Sequence, residues 1–266
     1  MGLHVDPTAV CLLVAVAFAA GWLDAVVGGG GLVQVPALML VLPSVPVATV
    51  LGTNKLVAIT GTSGAAVTYV SRIGLDRRRA LAAAALGLPT AVVGAVTASH
   101  LPRDVITLVV AATLVGVGVW AVVARPGAAP CAGTPAPARC TPARRTTLVL
   151  AGGASAVGFY SGVVGSGTGV LLVALFVTAL GTDFLRGSAM AKVVSIGSDL
   201  GALALFGALG HVLWLLGAGM AVANVAGGIV GARTALSRGG GFVRAVLLLV
   251  VVALVAKIAH DQWLAA

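Results

Sequence analysis

The chain has 266 residues, 59% of them hydrophobic and only 9% charged, with a net charge of +9. A soluble domain carries about 25% charged residues, so this sequence cannot cover a water-facing surface and reads as a polytopic membrane protein. The positive balance does not point to nucleic acid. The thirteen arginines stand in short connections or at segment ends, as in Arg77-Arg78-Arg79 and Arg144-Arg145, the pattern of basic loops retained on the cytoplasmic side of a membrane.

Apolar runs predict helices over 8–27, 32–42, 47–70, 79–98 and 105–124. Several reach about 20 residues, enough to span a bilayer core. No basic region precedes the first run, so no cleavable signal peptide is expected. A connector over 125–146 holds five prolines and four arginines and reads as an extended cytoplasmic linker. A second series follows at 147–165, 168–181, 187–208, 211–232 and 243–262. The domains expected are thus a first membrane repeat over 1–124, the linker, and a second repeat over 147–266. Cys131 and Cys140 share the linker, and no disulfide is expected between them in a reducing cytoplasm. Cys11 sits in an apolar run, and no CxxC occurs.

The two series align without gaps at an offset of 137 residues. Gly21-Trp22-Leu23 meets Gly158-Phe159-Tyr160, and Val26-Val27-Gly28 meets Val163-Val164-Gly165. Gly30 meets Gly167, Gly64-Ala65 meets Gly201-Ala202, and Lys55 meets Lys192. Alanine and valine matches are cheap in this composition, but the chain has only three lysines and two of them align. Such duplication marks transporter folds. The basic side also changes between halves. The 71–79 connection carries Arg72 and Arg77–Arg79, whereas its counterpart near 208–216 carries no basic residue. The 233–244 connection carries Arg233, Arg238 and Arg244, whereas 99–104 has only Arg103 beside Asp104. The pattern predicts an all-α fold of two inverted repeats, each with four to five membrane segments and an odd number of crossings. A chance scatter of a few arginines is the alternative.

Three features carry chemistry. The first is a glycine break in each half, Gly28-Gly29-Gly30-Gly31 and Gly165-Ser166-Gly167-Thr168. Broken helices are tolerated at depth only inside protein or beside a polar cavity. The helix that restarts aims free N–H donors and its positive dipole inward, a ready anion site. Gln34, one turn on, is placed on the same path, and Pro36 follows it. Close helix packing through small residues is the competing reading.

The second feature is the lysines, in "GTNK" ending at Lys55 and "AMAK" ending at Lys192. Lys55 lies about 12 Å into its helix at about 1.5 Å per residue. A bare ammonium at depth costs about 3 kcal/mol on the most lenient scale. Two such cations suit an anionic substrate, with Asn54 as a neutral donor; snorkelling to the headgroups is the alternative. The third is a polar stripe, Lys192, Ser195 and Asp199 at i, i+3 and i+7, echoed by Lys55 and Thr62 with Ser63 adjacent. Asp24 and Asp199 are the carboxylates deep in apolar segments. Each is read either as a counter-charge to a lysine or as a proton carrier. His211 beside Trp214 reads as interfacial.

The stretch "GWLDAVVGGGGLVQVPAL", then "GTNK", "GFYSGVVGSGTG" and "AKVVSIGSDLGAL", resembles the TauE/SafE family of membrane permeases, the sulfite exporter family. The resemblance covers nearly the whole chain apart from the linker. It implies transport of small sulfur-containing anions such as sulfite, sulfoacetate, other organosulfonates or thiosulfate, across the cell membrane and without an ATP-binding domain. It carries Gly28–Gly31, Asn54, Lys55, Gly165–Thr168 and Lys192 over as pathway residues. Members of that family often have Asp where this chain has Ser161, and Asn where it has Ser195 and Asp199. The chain's Asp199 therefore adds a negative charge beside the implied anion path.

The expected function is a secondary transporter, with proton coupling through Asp199 or Asp24 as a further reading. An anion channel is the rival within transport. A membrane enzyme or assembly factor is the rival outside it, and the sequence offers no HExxH, GxSxG or paired-cysteine motif for one. No metal or cofactor is expected, and the partners expected are the bilayer and a small anion.

Overall fold

A computed structural model describes residues 7–73, 77–99, 101, 143–165, 167–180 and 184–265, with isolated positions between 105 and 116. Every element among them is an α-helix. The first half contains α1 (Pro7–Val27), α2 (Gly30–Val41), α3 (Val47–Val70) and α4 (Arg77–Ser99). The second contains α5 (Ala143–Val163), α6 (Thr168–Leu180), α7 (Phe184–Ala208) and α8 (Trp214–Ala265), the last broken at Gly239 by a φ of 77°. The predicted segment 105–124 and the cysteines of the linker lie outside the described residues. The helix α5 begins at Ala143, four residues before the predicted segment start at 147.

Local chemistry sets the boundaries. Gly28 and Gly165 have φ of 90° and 72°, a left-handed backbone that ends α1 and α5 where a side chain would be strained. Pro46 starts α3: its carbonyl accepts the N–H groups of Thr49 and Val50 at 2.9 and 3.1 Å. Gly210, with φ of 74°, closes α7 in a Schellman turn, in which His211 N–H donates to Phe206 and Gly210 N–H to Gly207.

Four helical stretches are long and apolar enough to cross a membrane: Pro7–Val27, Ala80–Ala98, Leu185–Ala208 and Trp214–Val246. With 12 and 13 residues, α2 and α6 reach only about 18–20 Å and fall short of a bilayer core of about 30 Å. Gly30 packs against Ala20 and Asp24, and Leu38 shares a core with Leu13 near the other end of α1. The α2 helix therefore folds back along α1 as a re-entrant hairpin. Leu215, Leu40 and Val222 stay at least 75% exposed, as side chains that meet lipid do.

Glycine contacts give the helix directions. Gly227 touches Phe18 and Trp22, and Gly231 touches Trp22 and Ala25, so α1 and α8 run parallel. Gly52 touches His211, Gly61 touches Asn224, and Gly64 touches Val225 and Ile229, so α3 also runs with α8. In the other group, Gly158 meets Gly87 and Gly162 meets Ala91 and Ala95, so α5 runs with α4. Gly197 meets Ala84 and Gly201 meets Leu88, so α7 does too. Gly52 also lies against Phe206 while Lys55 reaches Asp199, which sets α3 antiparallel to α7. Thus α1, α3 and the start of α8 point one way, and α4, α5 and α7 the other.

These contacts bring backbone against backbone, which only residues without a Cβ allow. At Gly227 a methyl would overlap the Phe18 carbonyl, whereas at Gly219 in the same helix it would meet nothing within 4 Å. Gly227→Ala is expected to lower the melting temperature in detergent through an overpacking loss of roughly 1–3 kcal/mol. Gly219→Ala should leave it unchanged or slightly raised, and equal melting of the two variants would refute the close-packing role.

Candidate functional site

Lys55 leaves α3 at mid-length and points into the other half of the chain. Its Nζ donates to Asp199 Oδ1 of α7 at 2.6 Å and to Ser161 Oγ of α5 at 2.8 Å. Ser161 Oγ in turn donates to the same Asp199 oxygen at 3.1 Å. The lysine is 1% exposed and the aspartate side chain 8%. A buried ion pair holds only where further hydrogen bonds satisfy the charges, and the serine supplies one.

Lys192 leaves α7 and reaches back in the opposite sense. Its Nζ donates to Asp24 Oδ2 of α1 at 2.8 Å and to the Asp24 backbone carbonyl. Thr62 Oγ1 of α3 donates to the same carboxylate oxygen at 3.0 Å. Lys55 is therefore held by a carboxylate and a hydroxyl from the opposite half of the chain, and Lys192 by a carboxylate of the opposite half whose oxygen also accepts from the Thr62 hydroxyl.

The two triads are related by the sequence repeat, with one exchange. At the offset of 137 residues Lys55 corresponds to Lys192, Asp24 to Ser161 and Thr62 to Asp199. The α1/α5 position is Asp in one triad and Ser in the other; the α3/α7 position is Thr in one and Asp in the other. Carboxylate and hydroxyl have traded places, and each triad keeps one of each.

Both glycine breaks converge on this region. A methyl on Gly169 would stand 2.6 Å from Gly28 Cα, so the backbones after the two breaks touch. Leu32 packs over Gly167, whose φ is 79°. A methyl on Gly165 would lie 2.9 Å from Cε and Nζ of Lys55, so the break in the second half seats the lysine of the first. The N-termini of α2 and α6 face one another across this contact, beside both triads. Gly29, Gly30 and Gly31 form the start of α2, and Gly30 abuts Asp24. Thr168 Oγ1 caps Gly165 O weakly at 3.4 Å. Ser166 lies outside the described residues.

Asp199 and Asp24 stand as counter-charges to Lys55 and Lys192, one of the two roles the sequence allowed them; an isolated ammonium at this depth would be too costly to persist. Of the polar stripe, Lys192 and Asp199 share a face of α7 and bond to different triads. The third member, Ser195, is buried with no partner for its Oγ. Asn54 Oδ1 and Gln34 Nε2 are likewise buried and unpartnered. Gln34 Oε1 accepts from Asn224 Nδ2 at 3.3 Å, and that amide also donates to Ala17 O at 2.7 Å.

Three residues of the site escaped the sequence reading as ligands: Ser161, Thr62 and Asn224. The first two are the repeat partners of Asp24 and Asp199, so the offset itself held the signal. For Asn224 the signal is an amide alone in an apolar helix. Its repeat partner is Gly87, so the Gln34–Asn224 pair breaks the two-fold likeness. His211 keeps its place at a helix end, with Nδ1 3.2 Å from Thr49 Oγ1. Among the described residues no three His, Cys, Asp or Glu side chains gather to hold a metal ion.

The sulfite exporter TauE/SafE family profile matches residues 13–258. The chain belongs to this family. A probable membrane transporter protein of Sinorhizobium is 32% identical over 92% of this chain and 90% of its own length. The probable membrane transporter protein YfcA of Escherichia coli is 30% identical over 97% of this chain and 92% of its own. A probable membrane transporter protein of Haemophilus influenzae is 27% identical over 94% of each. No solved structure matches. The TauE/SafE chain is thus an all-helical membrane protein of a permease family.

Removing one member of a buried pair leaves the other charge uncompensated, at a cost of about 3–5 kcal/mol. Lys55→Met and Asp199→Leu are each expected to melt well below the parent protein. The double variant should melt above either single one. Additive losses in this thermal cycle would show that the two charges do not depend on each other.

Proposed function

We propose that the chain is a secondary transporter of small sulfur-containing oxyanions or organosulfonates, such as sulfite, sulfoacetate or thiosulfate, built as an inverted repeat in the inner or plasma membrane. The observation that carries this reading is the pair of exchanged Lys–carboxylate–hydroxyl triads at the meeting point of two broken helices. Two positive helix ends placed face to face repel unless an anion lies between or beside them. The two lysines, two hydroxyls and two helix ends form a symmetric donor set for a tetrahedral or trigonal oxyanion. The unpartnered Gln34 Nε2 and Ser195 Oγ supply further donors, and the two helical hairpins support a site at mid-depth.

Several observations support the inverted repeat. Equivalent helices run in opposite directions: α1 and α5, α3 and α7, α4 and the start of α8. Each repeat packs against the fourth helix of the other. Arg72 and Arg233 line one cavity, so the basic connections 71–79 and 233–244 fall at one end, the cytoplasmic end by the charge rule.

In this state the carboxylates of Asp199 and Asp24 occupy the places an anion would take on the lysines. A substrate oxyanion entering a triad displaces the carboxylate and accepts the lysine and hydroxyl hydrogen bonds in its stead. The displaced carboxylate, buried without its cation, takes up a proton to remain there. Anion and proton then move together as one repeat rocks against the other. Because the lysines bridge the repeats, exchanging carboxylate for substrate also breaks a contact that holds the repeats in register.

Purified protein in liposomes tests this. Uptake of sulfite, thiosulfate or sulfoacetate is expected to saturate, to show counterflow and to be driven by a proton gradient, acidic outside the accumulating compartment. Lys55→Ala and Lys192→Ala should each lower uptake by roughly tenfold or more, the loss of a charge-assisted hydrogen bond. Asp199→Asn and Asp24→Asn should retain counterflow and lose proton-driven accumulation. Full activity in both lysine variants would remove the site, an unchanged pH profile in both aspartate variants would remove the coupling, and flux without saturation or counterflow would identify a channel.

A further inference from the structure

A cavity of about 930 Å³ lies between the C-terminal part of α3 and α8, running from Ser63 and Gly64, next in sequence to Thr62, out to the basic end of the bundle. Its polar rim is Arg72 and Arg233, one arginine from each repeat. Neither guanidinium bonds to another described residue. Arg238 nearby differs, since it stacks on the Phe242 ring at 5.2 Å. The hydroxyls around the cavity hold their protons on their own helices: Ser71 Oγ donates to Thr68 O at 2.9 Å, and Ser237 Oγ to Thr234 O at 3.0 Å. Among the described residues the donors left free are therefore the two guanidiniums, whose planar forks match a phosphate.

The apolar part of the wall is Val67, Ile229 and Leu236, interspersed with Ser63 and Thr68, whose hydroxyls donate to Ile59 O and Gly64 O of their own helix. Val67 is 71% exposed, as a side chain that meets lipid is. At about 30 Å³ per water the space would hold some thirty waters, far more than an inorganic oxyanion fills, and the apolar wall would stay wet around such an ion. A headgroup with the upper part of an acyl chain suits both halves of the lining. Among the described residues the opposite end of the bundle has no equivalent: the repeat partners of Arg72 and Arg233 are Leu209 and Val96, both exposed apolar side chains. The cationic rim thus lies on the side that the charge rule assigns to the cytoplasmic leaflet, where anionic lipids concentrate and basic pockets between helices bind their headgroups.

We propose that this cavity is a binding site for an anionic glycerophospholipid, its phosphate on Arg72 and Arg233 and its acyl chain along Val67 and Ile229. The site is independent of the transport reading. Its test is the binding of phosphatidylglycerol to the purified full chain in a neutral detergent, read by native mass spectrometry and by the rise in melting temperature that ligand binding brings. Phosphatidylcholine and inorganic phosphate serve as the comparison probes. Phosphatidylglycerol is expected to bind and stabilise the parent protein, and the other two are not. Arg72→Gln with Arg233→Gln should weaken phosphatidylglycerol roughly tenfold or more, while Arg238→Gln should bind as the parent does. Each variant is compared with its own lipid-free melting temperature, so a lower basal stability does not mask the result. Undiminished binding by the double variant, or equal binding of phosphatidylcholine, would overturn the proposal. Displacement of the lipid by millimolar phosphate would reassign the cavity to a free anion and overturn it too.

Discussion

The structure turns on the requirement that a lysine ammonium at membrane depth be neutralised. In water an ammonium is solvated from every side, but inside a bundle its donors need fixed acceptors. Lys55 and Lys192 each find two in the opposite half of the chain, so the charges that most need partners are also the contacts that tie the two halves together. Neither repeat can bury its lysine alone. This gives a physical reason for the halves to interdigitate rather than stand side by side.

Interdigitation in turn demands close approach, and glycine supplies it. Where α1 meets α8, and again where α5 meets α4, carbonyls lie against glycines, with no room for a methyl group. Lipid chains are as apolar as leucine, so burial of oily surface does little to drive helices together here. Contact of small residues at short range does more. The same logic brings the two broken segments together. Gly28 and Gly169 touch, and Gly165 accommodates the stem of Lys55. The glycine-rich breaks thus serve two ends: they stop α1 and α5 at the right depth, and they clear space for the ion pairs.

The exchange of carboxylate and hydroxyl between the triads shows how far a duplicated site can diverge while its charge balance persists. Each triad keeps one carboxylate on its lysine and one hydroxyl donating to that carboxylate, and the charge balance is indifferent to which helix supplies which. Asp24 with Thr62 and Ser161 with Asp199 are two solutions to one constraint. The Gln34–Asn224 pair, by contrast, has only Leu171 and Gly87 as its repeat partners. The region near the triads is therefore two-fold in charge but not in its neutral polar groups.

Much of this was legible in the sequence. Low charge and long apolar runs determined an all-helical membrane protein. The duplicated lysines and glycine breaks determined a repeat, because those residue types are too costly in apolar helices to recur by accident. Most described helix boundaries came within a few residues, since proline and left-handed glycine act locally, but the connection expected over 233–242 narrows to a break at Gly239 within one helix. The partners of Lys55 and Lys192 were not legible. On the sequence, Lys192 and Asp199 look like a pair along one helix, yet in the fold each turns to a different helix more than a hundred residues away. A periodicity says which residues share a face, and only tertiary packing decides what that face meets. Asn224 and the cavity at Arg72 and Arg233 escaped for the same reason. They join residues from different repeats, and the sequence by itself determined that those residues exist in a membrane helix or at its end, while the crossing of the repeats decided that they stand together.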